Sequence, residues 1–213
     1  MIDSAAAFIF DMDGTLLDTE PLYTKATQSV LDTYDLIYPL ELKQQCMGGD
    51  MRTGAVTVIE HFELPLTPED YLEKREAHLL HLFPDAPAMP GAVDFLQRFL
   101  GKLPMGVATS SHRHHYDVKM QNRDWDVFDT VVCGDDARLE RGKPEPDIFL
   151  LCAEELGVAP EDCVAFEDSH NGVLAAKAAG MRVIAIDSPY VKPGTLDDAE
   201  RKITHYDELA DLF

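Results

Sequence analysis

Apolar and polar positions along this chain fall into two alternating periods. Ala7 to Phe10 is a continuous apolar run that stops on a carboxylate, as expected of a strand buried on both faces. Runs of the same kind recur at 103–109, 130–133, 163–166 and 182–186. Between them, residues 92–100, 111–120, 147–156 and 171–179 carry apolar side chains at helical spacing, and 206–212 reads as a last short helix. Gly157 and Gly180 stand where helices are commonly closed. Strands joined by crossover helices predict an α/β protein, a Rossmann-like parallel sheet flanked by helices on both faces.

The alternation is interrupted once. After the first strand come four helical patterns in succession, at 20–36, 40–47, 51–62 and 68–82, with Gly48-Gly49 and Pro65-Leu66-Thr67-Pro68 between them. Pro21 suits a first helical turn, and Thr67 with Asp70 resembles a capping box in which Asp replaces the usual Glu or Gln. Phe83 to Gly91 is a return linker stiffened by prolines. The expected organisation is a Rossmann-like core made of residues 1–17 and 86–213, carrying a helical insertion over 18–85.

Composition narrows the partners. At 213 residues the chain buries a core unaided. Its formal charge is 18 − 39 = −21, which argues against nucleic acid or an anionic membrane as a partner. An anionic substrate must then be drawn by a local cation. The 4 cysteines show no Cys-x-x-Cys spacing and read as free thiols in a reducing compartment. No run reaches membrane-spanning length and the opening residues lack a signal-type core, so a cytoplasmic monomer is expected.

Candidate chemistry gathers at the ends of the strands, where parallel sheets bind ligands. The first strand ends in Asp11-Met12-Asp13-Gly14-Thr15; two close carboxylates disfavour joint ionisation unless a cation lies between them, and Mg²⁺ is the hard ion suited to oxygen ligands. Taken alone, Asp-x-Asp-Gly is better read as a helix N-cap plus a solvated turn acid; complementary groups at later strand ends decide otherwise. Ala108-Thr109-Ser110-Ser111 ends another strand on hydroxyls, with Thr109 facing a phosphate at a helix N-terminus and Ser111 capping that helix. Lys143 lies in Gly142-Lys143-Pro144-Glu145-Pro146, where prolines lower the entropy cost of aiming it. Phe166-Glu167-Asp168-Ser169 supplies a second pair of acids.

That ordered set resembles the haloacid dehalogenase-like hydrolase superfamily. Asp18-Thr19-Glu20, Met89-Pro90-Gly91, Gly134-Asp135-Asp136 and Phe166 to Gly172 are similar to the small-cap branch containing pseudouridine-5′-phosphatases, sugar phosphatases and β-phosphoglucomutases. The resemblance implies that Asp11 is the nucleophile and Asp13 the general acid and base. It implies Mg²⁺ held by Asp11, the Asp13 backbone carbonyl and Asp168, with Glu167 at the edge of the shell. Thr109, Ser110 and Lys143 would bind the phosphoryl oxygens of a small phosphorylated metabolite. Phosphate-monoester hydrolysis needs up to about 10²¹-fold acceleration, whereas one positioned acid or base gives about 10² to 10⁴, so metal, lysine and covalent catalysis must share the rest.

A phosphomutase is the main rival reading, and a non-catalytic phosphometabolite-binding protein a remote one. β-Phosphoglucomutases carry a histidine twelve residues beyond the nucleophile; here that position is Tyr23, and a phenol does not exchange protons near neutrality as an imidazole does. Tyr23, Arg52 and Lys74 are the insertion's candidates for choosing the substrate. His112, His114 and His115 read as an exposed helical turn, and Asp135 and Asp136 as loop acids and caps rather than ligands.

Overall fold

The computed structural model describes residues 5–46 and 51–210. Its strands are β1 (Ala7–Phe10), β2 (Met105–Thr109), β3 (Thr130–Cys133), β4 (Cys163–Glu167), β5 (Arg182–Ile186) and β6 (Arg201–Ile203). They form one parallel sheet in the order β3-β2-β1-β4-β5-β6, so β1 lies inside it, between β2 and β4. The Rossmann-like class read from the sequence is the fold observed. The helices are α1 (Glu20–Asp32), α2 (Leu40–Cys46), α3 (Met51–Phe62), α4 (Pro68–Leu82), α5 (Ala92–Phe99), α6 (Arg113–Met120), α7 (Asp147–Leu156) and α8 (His170–Ala178).

Alternation along β1 divides the core into two chemistries. Ala7 and Ile9 join a mainly aliphatic cluster that includes Ile148, Phe149 and Cys152 of α7 and Val173 of α8. Phe8 and Phe10 point the other way into aromatics: Phe8 meets Phe99 edge-on at 5.0 Å and Phe10 stacks on Phe166 at 4.6 Å. Tyr206 closes this layer against Phe95 at 5.1 Å. Burying rings of this size stabilises by roughly 1.5–3 kcal/mol each, and the layer underlies the chain that carries Asp11. Cys133, Cys152 and Cys163 are buried free thiols, and Cys46 is half-buried.

Several expectations are corrected. β6 was not foreseen, because Arg201-Lys202-Ile203 is three residues long and offers one apolar side chain to the period. α1 stops at Asp32 rather than 36, where Thr33 caps it and Asp35 takes a left-handed φ of 58°. The last element is a 3₁₀ turn, Tyr206–Leu209, begun by His205. Met47, Gly48-Gly49 and Leu212 lie outside the described residues.

Contacts divide the chain into two compact units, one made of the chain up to Asp18 with Pro87 onward, the other Thr19–Ala86. Within the second, Val30, Leu31, Leu42, Ala55, Val58, Leu64 and Tyr71 form a core of their own. α4 opens with the Thr67–Asp70 capping box: Thr67 Oγ1 accepts from the Asp70 amide at 3.1 Å, and Asp70 Oδ2 from the Thr67 amide at 3.3 Å. The Asp side chain is thus long enough to close a box usually closed by Glu.

Candidate active site

The sheet register sets the first layer of the site. Phe10 is level with Val107 on β2 and Phe166 on β4, and the Asp11 amide donates to the Phe166 carbonyl at 2.9 Å. Asp11 therefore leaves the sheet beside Ala108 and Glu167. Lys143, from the loop before α7, donates to Asp11 Oδ1 at 2.6 Å, to Glu167 Oε1 at 2.6 Å and to the Ala108 carbonyl at 3.0 Å. The ammonium of that lysine lies over the Phe149 ring, 4.9 Å from its centroid.

Two glycines make room for carboxylates. A Cβ on Gly14, at φ +82°, would lie 2.0 Å from Asp168 Oδ2. Asp168 thus occupies the space a side chain would fill in the β1 turn, which brings it to the Asp11–Asp13 loop. From below, the Tyr206 hydroxyl donates to the Thr15 carbonyl at 3.1 Å. Gly172 does the same for Glu167, whose Oε2 accepts from the Asp168 amide, the Ser169 amide and the Ser169 hydroxyl, each at 2.9 Å. Ser169 in turn caps α8 through the Gly172 amide.

Asp13 has a cation of its own, which sequence reasoning missed. Lys119 Nζ, near the end of α6, lies 2.6 and 2.7 Å from the two Asp13 carboxylate oxygens and donates to Ser111 Oγ at 2.8 Å. Ser111 donates to Asp13 Oδ2 at 2.7 Å. Ser111 is accordingly not the helix cap expected of it. The helix starts at Arg113, whose amide is taken by Asp135 Oδ1 at 2.8 Å. A faint signal existed: a lysine one or two helical turns past a Ser-Ser strand end falls on the face turned back toward that end.

Thr109 is buried, and its Oγ1 accepts from the Ser111 amide at 3.1 Å, which leaves its hydroxyl hydrogen for a ligand. Ser110 is exposed, and with Lys143, Gly134 and Ile148 it lines a cavity of about 200 Å³. In the helical unit, Tyr23 packs edge-on against Phe83 at 5.7 Å, Arg52 pairs with Glu69 on the surface, and Lys74 is exposed. His112 and His114 are exposed and His115 half-buried, while His170 Nδ1 lies 2.9 Å from the Thr195 carbonyl.

Burial pushes the Asp11 carboxyl up to about 7; Lys143 opposes the rise, and Glu167 and Asp13 add to it. Burial also holds Asp168 well above the carboxylate range, reinforced by Glu167 and Asp11. Burial works against the Lys143 ammonium, but Asp11 and Glu167 more than offset it and keep it protonated. Four carboxylates (Asp11, Asp13, Glu167, Asp168) face two ammonium groups (Lys119, Lys143), so full ionisation leaves 4 − 2 = 2 negative charges. A divalent cation balances that surplus, and an all-oxygen donor set suits Mg²⁺. The residues present therefore fit the ion.

Residues 8–186 match the family model of the haloacid dehalogenase-like hydrolases. The chain belongs to this family. It is accordingly a hydrolase of phosphoric monoesters. Among its haloacid dehalogenase-like relatives, the Drosophila melanogaster protein named "Probable pseudouridine-5'-phosphatase" is 44% identical over 85% of this chain and 81% of its own. An Arabidopsis thaliana (DL)-glycerol-3-phosphatase is 38% identical, covering 92% and 85%. A HAD family hydrolase from Deinococcus radiodurans, solved with bound phosphate and sodium, superposes with a TM-score of 0.79 at 26% identity, covering 97% and 94%. Among the described residues no helix is long and apolar enough to cross a membrane.

Proposed function

We propose that this hydrolase is a Mg²⁺-dependent phosphatase of small phosphorylated metabolites that works through an aspartyl-phosphate on Asp11. The observation that carries the reading is the contact of Lys143 with Asp11 and Glu167 at the end of β1, beside a second aspartate held separately by Lys119. Lys143 keeps the Asp11 carboxylate aimed and neutralises the incoming phosphoryl oxygens, with Thr109 as a neutral donor. An Asp11 oxygen bonds to phosphorus as the ester P–O bond breaks, and Asp13 protonates the departing alcohol oxygen. In the second half, water attacks phosphorus, Asp13 takes its proton and the Asp11–phosphorus bond breaks, which returns the enzyme and releases phosphate. Asp11, the Asp13 carbonyl and Asp168, with Glu167 at the edge, would hold Mg²⁺, whose charge would offset that building up on the transferring group.

Pseudouridine 5′-phosphate is the first substrate to assay, then glycerol 3-phosphate and sugar phosphates, following the names its relatives carry. Tyr23, in place of an imidazole, favours water over a second sugar hydroxyl as acceptor and so a phosphatase over a mutase. The test is phosphate release from such a panel with Mg²⁺ and with excess chelator. Release that survives the chelator contradicts the metal requirement; no release from any monoester contradicts the reading as a whole.

A further inference from the structure

Lys119 belongs to no motif of the site, yet it is the one residue of α6 that is buried, more so than the helix's own Val118 and Met120. Its ion pair with Asp13 is lopsided: the lysine side chain is 0% exposed and the aspartate 23%. The cation is sealed behind the carboxylate and cannot meet a ligand, while the carboxylate it grips is the open end. The network is directional as well. Lys119 donates to both Asp13 oxygens and to Ser111 Oγ, and Ser111 passes its own hydrogen to Asp13 Oδ2, a closed triangle with every contact between 2.6 and 2.8 Å. A carboxylate on a turn has two free torsions; three hydrogen bonds from two donors, one at a strand end and one on a helix, remove both. Desolvating an ammonium to that extent is costly unless its partners are fixed.

We propose that Lys119, with Ser111, is the positioning residue for Asp13, holding its carboxylate where the leaving oxygen, and later the hydrolytic water, must find it. The proposal rests on the functional reading above, in which Asp13 carries the proton. Lys119 touches neither substrate nor phosphoryl group. Its effect is confined to the steps in which Asp13 gives or takes a proton, which distinguishes it from Lys143, whose loss would weaken phosphoryl transfer whatever the leaving group.

The test compares two substrates of the intact enzyme with Mg²⁺: p-nitrophenyl phosphate, whose leaving group departs as an anion, and glycerol 3-phosphate, whose leaving oxygen needs a proton. With Lys119→Met, kcat/KM for glycerol 3-phosphate is expected to fall about 10- to 100-fold, and that for the aryl ester to change little. A pre-steady-state burst of nitrophenol should appear as hydrolysis of the phosphoenzyme slows. Ser111→Ala, which removes one oxygen, should show the same split on a smaller scale and stands in if Lys119→Met does not fold. Equal losses on both substrates, or no loss in a folded variant, overturn the proposal. A wild-type enzyme that releases phosphate from no monoester, these two included, instead overturns the functional reading, and the proposal with it.

Discussion

Replacing Gly172 by alanine sets two effects of opposite sign against each other. Gly172 lies in the first turn of α8, where alanine is the better helix former by up to about 1 kcal/mol. Against this, a Cβ there would lie 1.8 Å from Glu167 Cδ and Oε1, and ordinary contact begins at 3.4 Å, so the carboxylate must move by 3.4 − 1.8 = 1.6 Å. On a surface a glutamate swings that far at little cost. Glu167 is 1% exposed, is paired with Lys143 at 2.6 Å, and accepts three further hydrogen bonds at 2.9 Å. A move of 1.6 Å cannot keep both the 2.6 Å pair with Lys143 and the three 2.9 Å bonds, so part of this buried set is broken. Breaking a buried pair costs about 3–5 kcal/mol, and the helix gain offsets about 1 kcal/mol of that. Gly172→Ala is therefore expected to lose about 2–4 kcal/mol in urea unfolding, together with most of its turnover. A variant as stable as the parent, or more stable by about the propensity difference, with full activity, would refute this account of Glu167.

Asp11→Asn should abolish turnover while circular dichroism stays unchanged, since it removes the nucleophile and little volume; more than trace activity removes Asp11 from its role. In the metal-free protein, the folded Asp11 keeps a proton that the unfolded chain releases between pH 3.8 and about 7, so stability should fall as pH rises through that window. Mg²⁺ should then raise the melting temperature more at pH 8 than at pH 5, and an equal shift at both would contradict the carboxylate surplus. Tyr206→Phe strands the buried Thr15 carbonyl and should cost about 1–3 kcal/mol, read by denaturant midpoint. With β-glucose 1-phosphate and a trace of the bisphosphate, free phosphate should form; efficient conversion to glucose 6-phosphate would favour the mutase.

What the sequence made legible were groups announced by their neighbours. Asp11 and Asp13 follow an apolar run, Lys143 sits between Gly142 and Pro144, and Glu167 ends β4 with Asp168 next, before a helix cap. Each marks a strand end locally, and the parallel sheet brings the ends together. Lys119 carries no such mark: its partner Asp13 is 106 residues away, and Arg113-His114-His115-Tyr116-Asp117 reads as a solvated helix face. Ser111 is hidden for the same reason, because a serine before a helix is locally a cap and only the fold shows Asp13 within its reach. β6 and the Tyr206 support escape because both depend on register at the sheet's edge and on ring packing rather than on period.

The central claim is covalent transfer to Asp11, and the Asp13→Asn variant isolates it. With p-nitrophenyl phosphate and Mg²⁺, the leaving group departs without Asp13, but water lacks its base. A burst approaching one nitrophenol per enzyme, with the phosphoryl group mapped by peptide analysis to Asp11, is the expected result. A wild-type enzyme that turns over while this variant shows neither burst nor label at Asp11 would contradict the mechanism.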